Sequence, residues 1–413
     1  MLNLKNWNPE PLVPEVNTQN YAYLLNSRVA TSKPGKYITI DGEQCLNLGT
    51  DNYLGLADHP RLEDVSVAAV RKYGVGACGP RGFYGTMDIH LALEQAIAKF
   101  LNVQETVLYA FGFSTIASAI PAYAKNTDII FVDEQCNFAI QQGMVASRAR
   151  VVKFRHNDAE HCDQLVEATL KEAKKNVRTF LIAEGIYAKT GKMCPLKELV
   201  NIKQKYKIRL FLDESNTFGL LGSKGKGLTE YLNVDINDLD MIMVSLERAM
   251  CGYGGFCAGS SYVIDHQRLA GVGYCFSASL PPLQTQVALE TLKMIDEDPG
   301  IAEKARDINK YAHRAFAELT HLSDISDPIS SIKILVPKVL LDDNQEPNNE
   351  KYEKRLSEIS DNLLKKHKIA LPVERFSEDE MTTSPASMRA SISGCLSPED
   401  IDRAVAAIEQ YSM

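Results

Sequence analysis

Short runs that are apolar on both sides alternate with helical stretches through the middle of this chain, and that alternation leaves few folds open. Thr106-Val-Leu-Tyr-Ala110 precedes an apolar helical stretch, Asp128-Ile-Ile-Phe-Val132 precedes the Gln141 region, and Val151-Val-Lys-Phe154 precedes a charged stretch from Asp158 to Lys175. Thr179-Phe-Leu-Ile-Ala183 leads to Leu196–Lys205, and Arg209-Leu-Phe-Leu212 and Met241-Ile-Met-Val244 follow. A strand without a polar face must be covered on both sides. The pattern therefore predicts an α/β fold, a mainly parallel sheet sandwiched by helices. After Pro281-Pro282 the pattern changes to a long helical stretch reaching about Leu319, then Ser331-Ile-Lys-Ile-Leu-Val336 and an Asp/Asn/Pro-rich loop from Asp342 to Asn349. A lysine-rich helix, two short strands and a final helix from Pro398 complete it. Three segments are expected: an extended arm over 1–50, punctuated by Pro9, Pro11, Pro14 and Pro34-Gly35; a large domain over 51–296; and a smaller α+β domain over 297–413.

With 413 residues there is ample sequence for a large core. A net charge of −8 argues against nucleic acid as a partner, because neutralising phosphates needs a clustered basic surface. Nine cysteines stand singly with no C-x-x-C, which argues for reduced thiols and against a disulfide framework or zinc site. No histidines pair at ligand spacing, so no metal is expected. The opening residues lack the basic and apolar regions of a signal peptide. Two uncharged runs, Thr106 to Ala124 and Leu269 to Leu289, are too rich in hydroxyls, glycine and proline to span a membrane and read as buried interior.

Gly74-Val-Gly-Ala-Cys-Gly79 satisfies G-x-G-x-x-G, but it follows a helical stretch and runs into Pro80-Arg-Gly82. A dinucleotide site needs the motif between strand and helix, so this one fails on context. Neither a P-loop nor a hydrolase elbow is present. More informative is Arg209-Leu-Phe-Leu-Asp-Glu-Ser-Asn-Thr-Phe-Gly-Leu-Leu-Gly222. An acidic residue ending a buried strand lies where open α/β sheets hold ligands. Asp213 suits a protonated ring nitrogen, as in pyridoxal phosphate, and equally suits a cap on the next segment.

Several stretches, in order along nearly the whole chain, resemble the α-oxoamine synthases. They are Tyr109-Ala-Phe-Gly-Phe-Ser, Asp133 to Asn137, Ala183-Glu-Gly-Ile-Tyr187, Asp213 to Asn216, Gly254-Gly-Phe256, Phe276-Ser-Ala-Ser-Leu-Pro-Pro282 and Ser387-Met-Arg-Ala-Ser391. That resemblance implies a fold-type I pyridoxal-phosphate transferase that condenses an amino acid with an acyl-CoA. Within the family the fit is best to the long-chain-base subunits of the first type, through Tyr73 to Thr86, Ala117 to Tyr123 and Tyr262 to Leu269.

Against the family's catalytic pattern the departures matter most. The Schiff-base lysine stands eight residues before the aromatic of the Gly-Gly-aromatic signature, and here that position is Arg248. A guanidinium stays protonated and is no amine nucleophile. The family's ring-stacking histidine is matched by Asn137, and a second histidine by Asn216. Glu247 stands where the cofactor phosphate is expected and would repel it. Asp213 and the Ser245 hydroxyl remain, so the pocket is degraded rather than erased. Lys224 and Lys226 lie in a loop that reads as solvated. Arg389 matches the arginine that grips the substrate α-carboxylate, with a vestigial or a structural role both open here.

The resemblance implies a required, non-catalytic subunit. Its partner is a lysine-bearing homologue (the second long-chain-base subunit) that binds pyridoxal phosphate covalently and condenses L-serine with palmitoyl-CoA to 3-ketosphinganine. Family active sites lie at the subunit interface. Ser277 and Ser279 are therefore candidates for the partner's cofactor phosphate, and Cys78, Arg81 and Tyr84 for a loop at the partner's active site, with tight interface packing as the plainer role of that loop. Small regulatory membrane subunits are further implied partners. This subunit type carries a membrane-anchoring helix before a segment matched by Trp7-Asn-Pro-Glu-Pro11, close to where this sequence begins. The resemblance thus implies the endoplasmic reticulum membrane, cytosolic face, with no anchoring helix in the sequence itself. Two rival readings are an active homodimer using an unusual lysine and a pure scaffold.

Overall fold

The computed structural model describes residues 28–173, 177–341, 349–376, 380–382 and 384–411. Trp7–Pro11, the rest of the arm before residue 28, and most of the Asp342–Asn349 loop lie outside the described residues. The central sheet has seven strands: β1 (Glu105–Tyr109), β2 (Ile129–Asp133), β3 (Arg150–Phe154), β4 (Thr179–Glu184), β5 (Arg209–Asp213), β6 (Met241–Ser245) and β7 (Gly255–Gly259). Their spatial order is β1-β7-β6-β5-β4-β2-β3. Every neighbouring pair is parallel except those involving β7, which runs antiparallel to both β6 and β1.

The two-sided burial inferred from composition is visible in β2, β4 and β6, in which every residue is buried. One face packs Leu108, Phe131, Leu181, Leu212 and Val244 into the larger core with the helices Asp88–Leu101 and Pro282–Glu297. The other face packs Val107, Ile130, Ile182, Phe211 and Met243 against the helices Gly112–Tyr123 and Phe138–Ser147. Burial of that many branched side chains, each contributing about 1.5–3 kcal/mol, makes the sheet the rigid base on which loops are hung.

Within the stretch expected as an extended arm, Tyr37–Ile40 and Glu43–Asn47 pair as an antiparallel hairpin, and Ile369–Ala370 adds to it in parallel. Leu46 and Leu48 sit in the core of the C-terminal part, beside Phe316, Leu335 and Ile401. That part is built on a second antiparallel sheet, Leu322–Asp324, Ile332–Pro337 and Met388–Ser391. The long helical stretch after Pro282 is two helices, Pro282–Glu297 and Gly300–Ala317. Pro299 separates them, since its ring cannot continue the hydrogen-bond ladder.

Among the described residues no helix is long and apolar enough to cross a membrane. The run from Thr106 is β1 and the helix after it, largely buried. The run from Leu269 corrects the expectation of buried interior. Leu269, Val272 and Phe276 are largely exposed, because a turn brings that segment to the surface before the helix from Pro282 returns inside.

Candidate functional site

The polar residues singled out by sequence converge at the C-terminal edge of β4, β5 and β6, where parallel strands end and helices begin. Register places Glu184 directly beside Asp213 on adjacent strands, both buried. Burial raises the pKa of each carboxyl above its ordinary value, and their proximity adds to the rise for Glu184. Asp213 Oδ1 accepts from the Ser215 backbone N–H at 2.9 Å and from its hydroxyl at 2.5 Å. Its other oxygen, Oδ2, accepts from the Asn137 side-chain amide at 2.8 Å.

Asn137 is thereby fully used. Its Oδ1 accepts from the Ile140 N–H at 3.1 Å and caps the helix Phe138–Ser147, while its backbone N–H donates to Glu184 at 2.6 Å. Asn216 is similarly spent: its amide donates to the Ile186 carbonyl at 2.8 Å and its oxygen accepts from the Tyr53 hydroxyl at 3.1 Å. Ser245 ends β6 with its backbone N–H donating to Ser215 Oγ at 2.7 Å. Its hydroxyl lies so close to Gly112 that a Cβ there would stand 2.1 Å from it, so only glycine fits at the start of that helix. The Gly112 N–H donates to Glu247 Oε1 at 3.3 Å. A helix N-terminus attracts anions, and here the chain's own carboxylate occupies it.

Arg248 points toward the hairpin side. Its Nη1 donates to the Tyr53 hydroxyl at 3.1 Å and lies 3.4 Å from Asp51 Oδ2. Burial opposes its charge, but Tyr53 and Asp51 outweigh burial and raise its pKa, so it remains a cation. Arg389 reaches the same aspartate, Nη2 to Oδ1 at 2.9 Å, and its Nε lies 3.9 Å from Glu374. Burial pushes the Asp51 carboxyl upward, yet Arg389 and then Arg248 more than reverse this and hold it below the ordinary carboxylate range. Asp51, Tyr53 and Glu374 were missed by sequence reading. Asp51-Asn-Tyr-Leu-Gly55 carries no motif whose chemistry announces itself, and Glu374 follows a proline-containing stretch far along the chain.

Lys189 is buried just beyond β4, where its ammonium pairs with Glu380 and lies 5.4 Å from the centre of the Phe376 ring. Lys224 is exposed, and Lys226 sits 5.8 Å from the Phe100 ring centre in a shallow cavity of about 270 Å³.

The loop and turn expected to serve a neighbour lie together at the surface. Ser279 donates to the Gly79 carbonyl through its N–H at 2.9 Å and its hydroxyl at 3.1 Å, and His90 Nε2 lies 2.7 Å from the Leu280 carbonyl. Ser279 is buried by these contacts and Ser277 is half-buried. Cys78 and Tyr84 are exposed and both hold left-handed backbone, φ 55° and 63°, an arrangement rare for residues with a Cβ. Arg81 departs from expectation. Rather than offering charge outward, it is buried and forks onto Glu94 at 2.8 and 3.1 Å, with its guanidinium 5.5 Å from the Tyr274 ring centre. A guanidinium leaving water needs a matched carboxylate, and Glu94 supplies it inside the chain. Arg81 therefore anchors the loop internally, while Val75, Phe83, Tyr84 and Phe276 are apolar side chains of the loop and turn left exposed.

The sheet order with its single reversed strand, and the polar cluster at the C-terminal strand ends, are those of fold-type I pyridoxal-phosphate-dependent transferases. The chain matches the aminotransferase class I and II family over residues 43–408 and belongs to it. Serine palmitoyltransferase from S. paucimobilis, solved with a bound PLP–myriocin aldimine, shares the fold with a TM-score of 0.83 at 22% identity, over 95% of this chain and 96% of that one. An 8-amino-7-oxononanoate synthase from Francisella tularensis gives 0.72 at 20% identity, over 89% and 97%.

Within that family the chain is a homologue of the first long-chain-base proteins. It is 37% identical over 398 residues to long chain base biosynthesis protein 1b of Oryza sativa subsp. japonica, covering 96% of this chain and 81% of the relative. To serine palmitoyltransferase 1 of Dictyostelium discoideum it is 38% identical over 421 residues, covering 98% and 85%.

Proposed function

We propose that this chain is a non-catalytic but required subunit of a serine palmitoyltransferase, acting in the first step of sphingolipid synthesis. A homologous partner supplies the lysine, holds pyridoxal phosphate covalently and condenses L-serine with palmitoyl-CoA to 3-ketosphinganine. The observation that carries this reading is Arg248, a guanidinium held between Asp51 and Tyr53 at the position where the family's chemistry requires a primary amine. Two further features weigh against the cofactor being held here. Asp213, the residue suited to a pyridinium nitrogen, is already bonded to Asn137, and the helix N-terminus suited to a phosphate is already bonded to Glu247.

The neighbouring surface supports a contribution to the partner's site. The 74–86 loop is glycine-rich, held by Arg81–Glu94 and by Ser279, and exposes Cys78, Phe83 and Tyr84. Attachment at the endoplasmic reticulum membrane, facing the cytosol, belongs to the same proposal and rests on the family resemblance alone.

The test is purification of this chain alone, of a lysine-bearing homologue alone, and of the two together. The pair should show serine palmitoyltransferase activity, and this chain with pyridoxal phosphate should show no adduct fixed by borohydride. Turnover by the isolated chain, or a reduced cofactor mapped by peptide sequencing to Lys189 or another lysine, overturns the reading in favour of an active homodimer. Full activity of the partner without this chain leaves only a scaffold.

A further inference from the structure

Two guanidinium groups from distant parts of the sequence converge on one carboxylate. Asp51 Oδ1 takes Arg389 Nη2 at 2.9 Å and the Ser391 hydroxyl at 2.6 Å, and Asp51 Oδ2 faces Arg248 Nη1 at 3.4 Å. Tyr53 accepts from the same Arg248 nitrogen and donates its own hydrogen bond to Asn216 Oδ1, so the cation is fixed in place. Glu374, 3.9 Å from Arg389, balances the second positive charge. The cluster is not sealed: the side chains of Asp51, Arg248 and Arg389 keep 28%, 21% and 15% of their surface exposed.

Stability alone is a weak reason for such a group. Ion pairs taken from water commonly gain little net free energy over apolar residues of the same size. The planar guanidinium fork of arginine is, by contrast, well matched to recognising a planar carboxylate. We infer that Asp51 is a built-in occupant of a carboxylate site made by Arg248, Arg389 and Ser391, and that removing it opens a binding site for a small free carboxylate, the carboxylate end of an amino acid included. Carried on the same chain, Asp51 is present at an effective concentration that a dissolved amino acid does not approach. The pocket of this chain is thereby closed to amino acids whatever the partner binds. The inference rests on this pocket's geometry and is independent of which subunit carries out the chemistry.

The full chain is prepared unaltered and as Asp51→Gly, Asp51→Asn and Asp51→Gly with Arg389→Met. Thermal unfolding is followed in formate, in acetate and in chloride at matched ionic strength. Asp51→Gly should melt below the unaltered chain, because two half-buried cations lose their partner. Formate and acetate should raise its melting temperature saturably while chloride does not, the rise following ligand linkage to the folded state. Asp51→Asn, whose amide still fills the space, should not respond, and neither should the double variant that lacks Arg389. If Asp51→Gly is insoluble, refolding it in formate against chloride gives the same readout, recovery in formate alone being expected. Equal responses of the unaltered chain and Asp51→Gly, or no response of Asp51→Gly to either carboxylate, overturn the inference.

Discussion

Glu214 offers a pH dependence whose sign is fixed by where the residue lies. It follows β5, is fully enclosed, and has one oxygen, Oε2, accepting from the Leu228 N–H at 2.8 Å and from the Thr217 hydroxyl. The other, Oε1, is buried without a hydrogen-bond partner. Burial pushes the carboxyl from 4.5 up to about 7, the hydrogen bonds opposing this only in part. The folded chain therefore keeps a proton that the unfolded chain releases at lower pH. Stability is fully present below pH 4.5, falls as pH rises toward 7, and is flat above. A rise of that size corresponds to about 3 kcal/mol lost across the window. Burial pushes the Glu184 carboxyl up as well, to about 8, so the measurement is a difference. Urea unfolding of the unaltered chain and of Glu214→Gln is compared at intervals from pH 5 to pH 8.5. Glutamine cannot ionise, so the variant should gain on the unaltered chain as pH rises and then hold a constant offset. Parallel stability curves would refute the reasoning, since they would mean that Glu214 titrates alike in both states.

Arg81→Ala should cost about 3–5 kcal/mol in urea unfolding by leaving Glu94 charged and buried. Pairing Arg81→Met with Glu94→Gln should recover much of that loss. Arg248→Lys restores an amine without restoring the pocket, because Asn137 and Glu247 still occupy the groups that would hold a cofactor; absorbance after adding pyridoxal phosphate should show no lysine-linked adduct. Cys78→Trp places a bulky ring on an exposed loop already held in left-handed backbone, so activity of the proposed complex with a lysine-bearing homologue should fall while co-purification persists.

The sheet was legible because five of its strands are apolar on both faces, a pattern that only a covered sheet satisfies, while the edge strand Arg150–Phe154 keeps Arg150 and Lys153 exposed. The seventh, Gly255–Gly259, escaped detection: GFCAG has two glycines and no branched residue, and it pairs because β1 and β6 flank it. The hairpin at Tyr37–Asn47 was hidden among prolines and polar residues, and its burial depends on Leu46 and Leu48 meeting a core built some 300 residues later. Of the site, Asp213 and Ser245 stood out at strand ends, Asn137 at a helix start and Asn216 in the turn after β5, each within a recognisable stretch. The inward place of Arg81 did not, since sequence gives no sign that Glu94, one helical stretch away, pairs with it.

What the sequence could not express is how completely the polar groups around Arg248 are bonded to one another. Asp213 bonds to Asn137, Glu247 to a helix N-terminus, Asn216 to Tyr53, and Arg248 and Arg389 to Asp51. Among the described residues, the buried side-chain atoms without a partner include none of these. An enzyme that awaits a cofactor ordinarily leaves polar groups whose desolvation only the ligand compensates, so ligand binding raises its stability. Here that debt is already cancelled within the chain. The melting temperature of the isolated protein should therefore be unchanged by pyridoxal phosphate across the range that stabilises a lysine-bearing homologue. A saturable rise comparable to the homologue's would mean that these contacts yield to the cofactor and that the pocket still functions as a binding site.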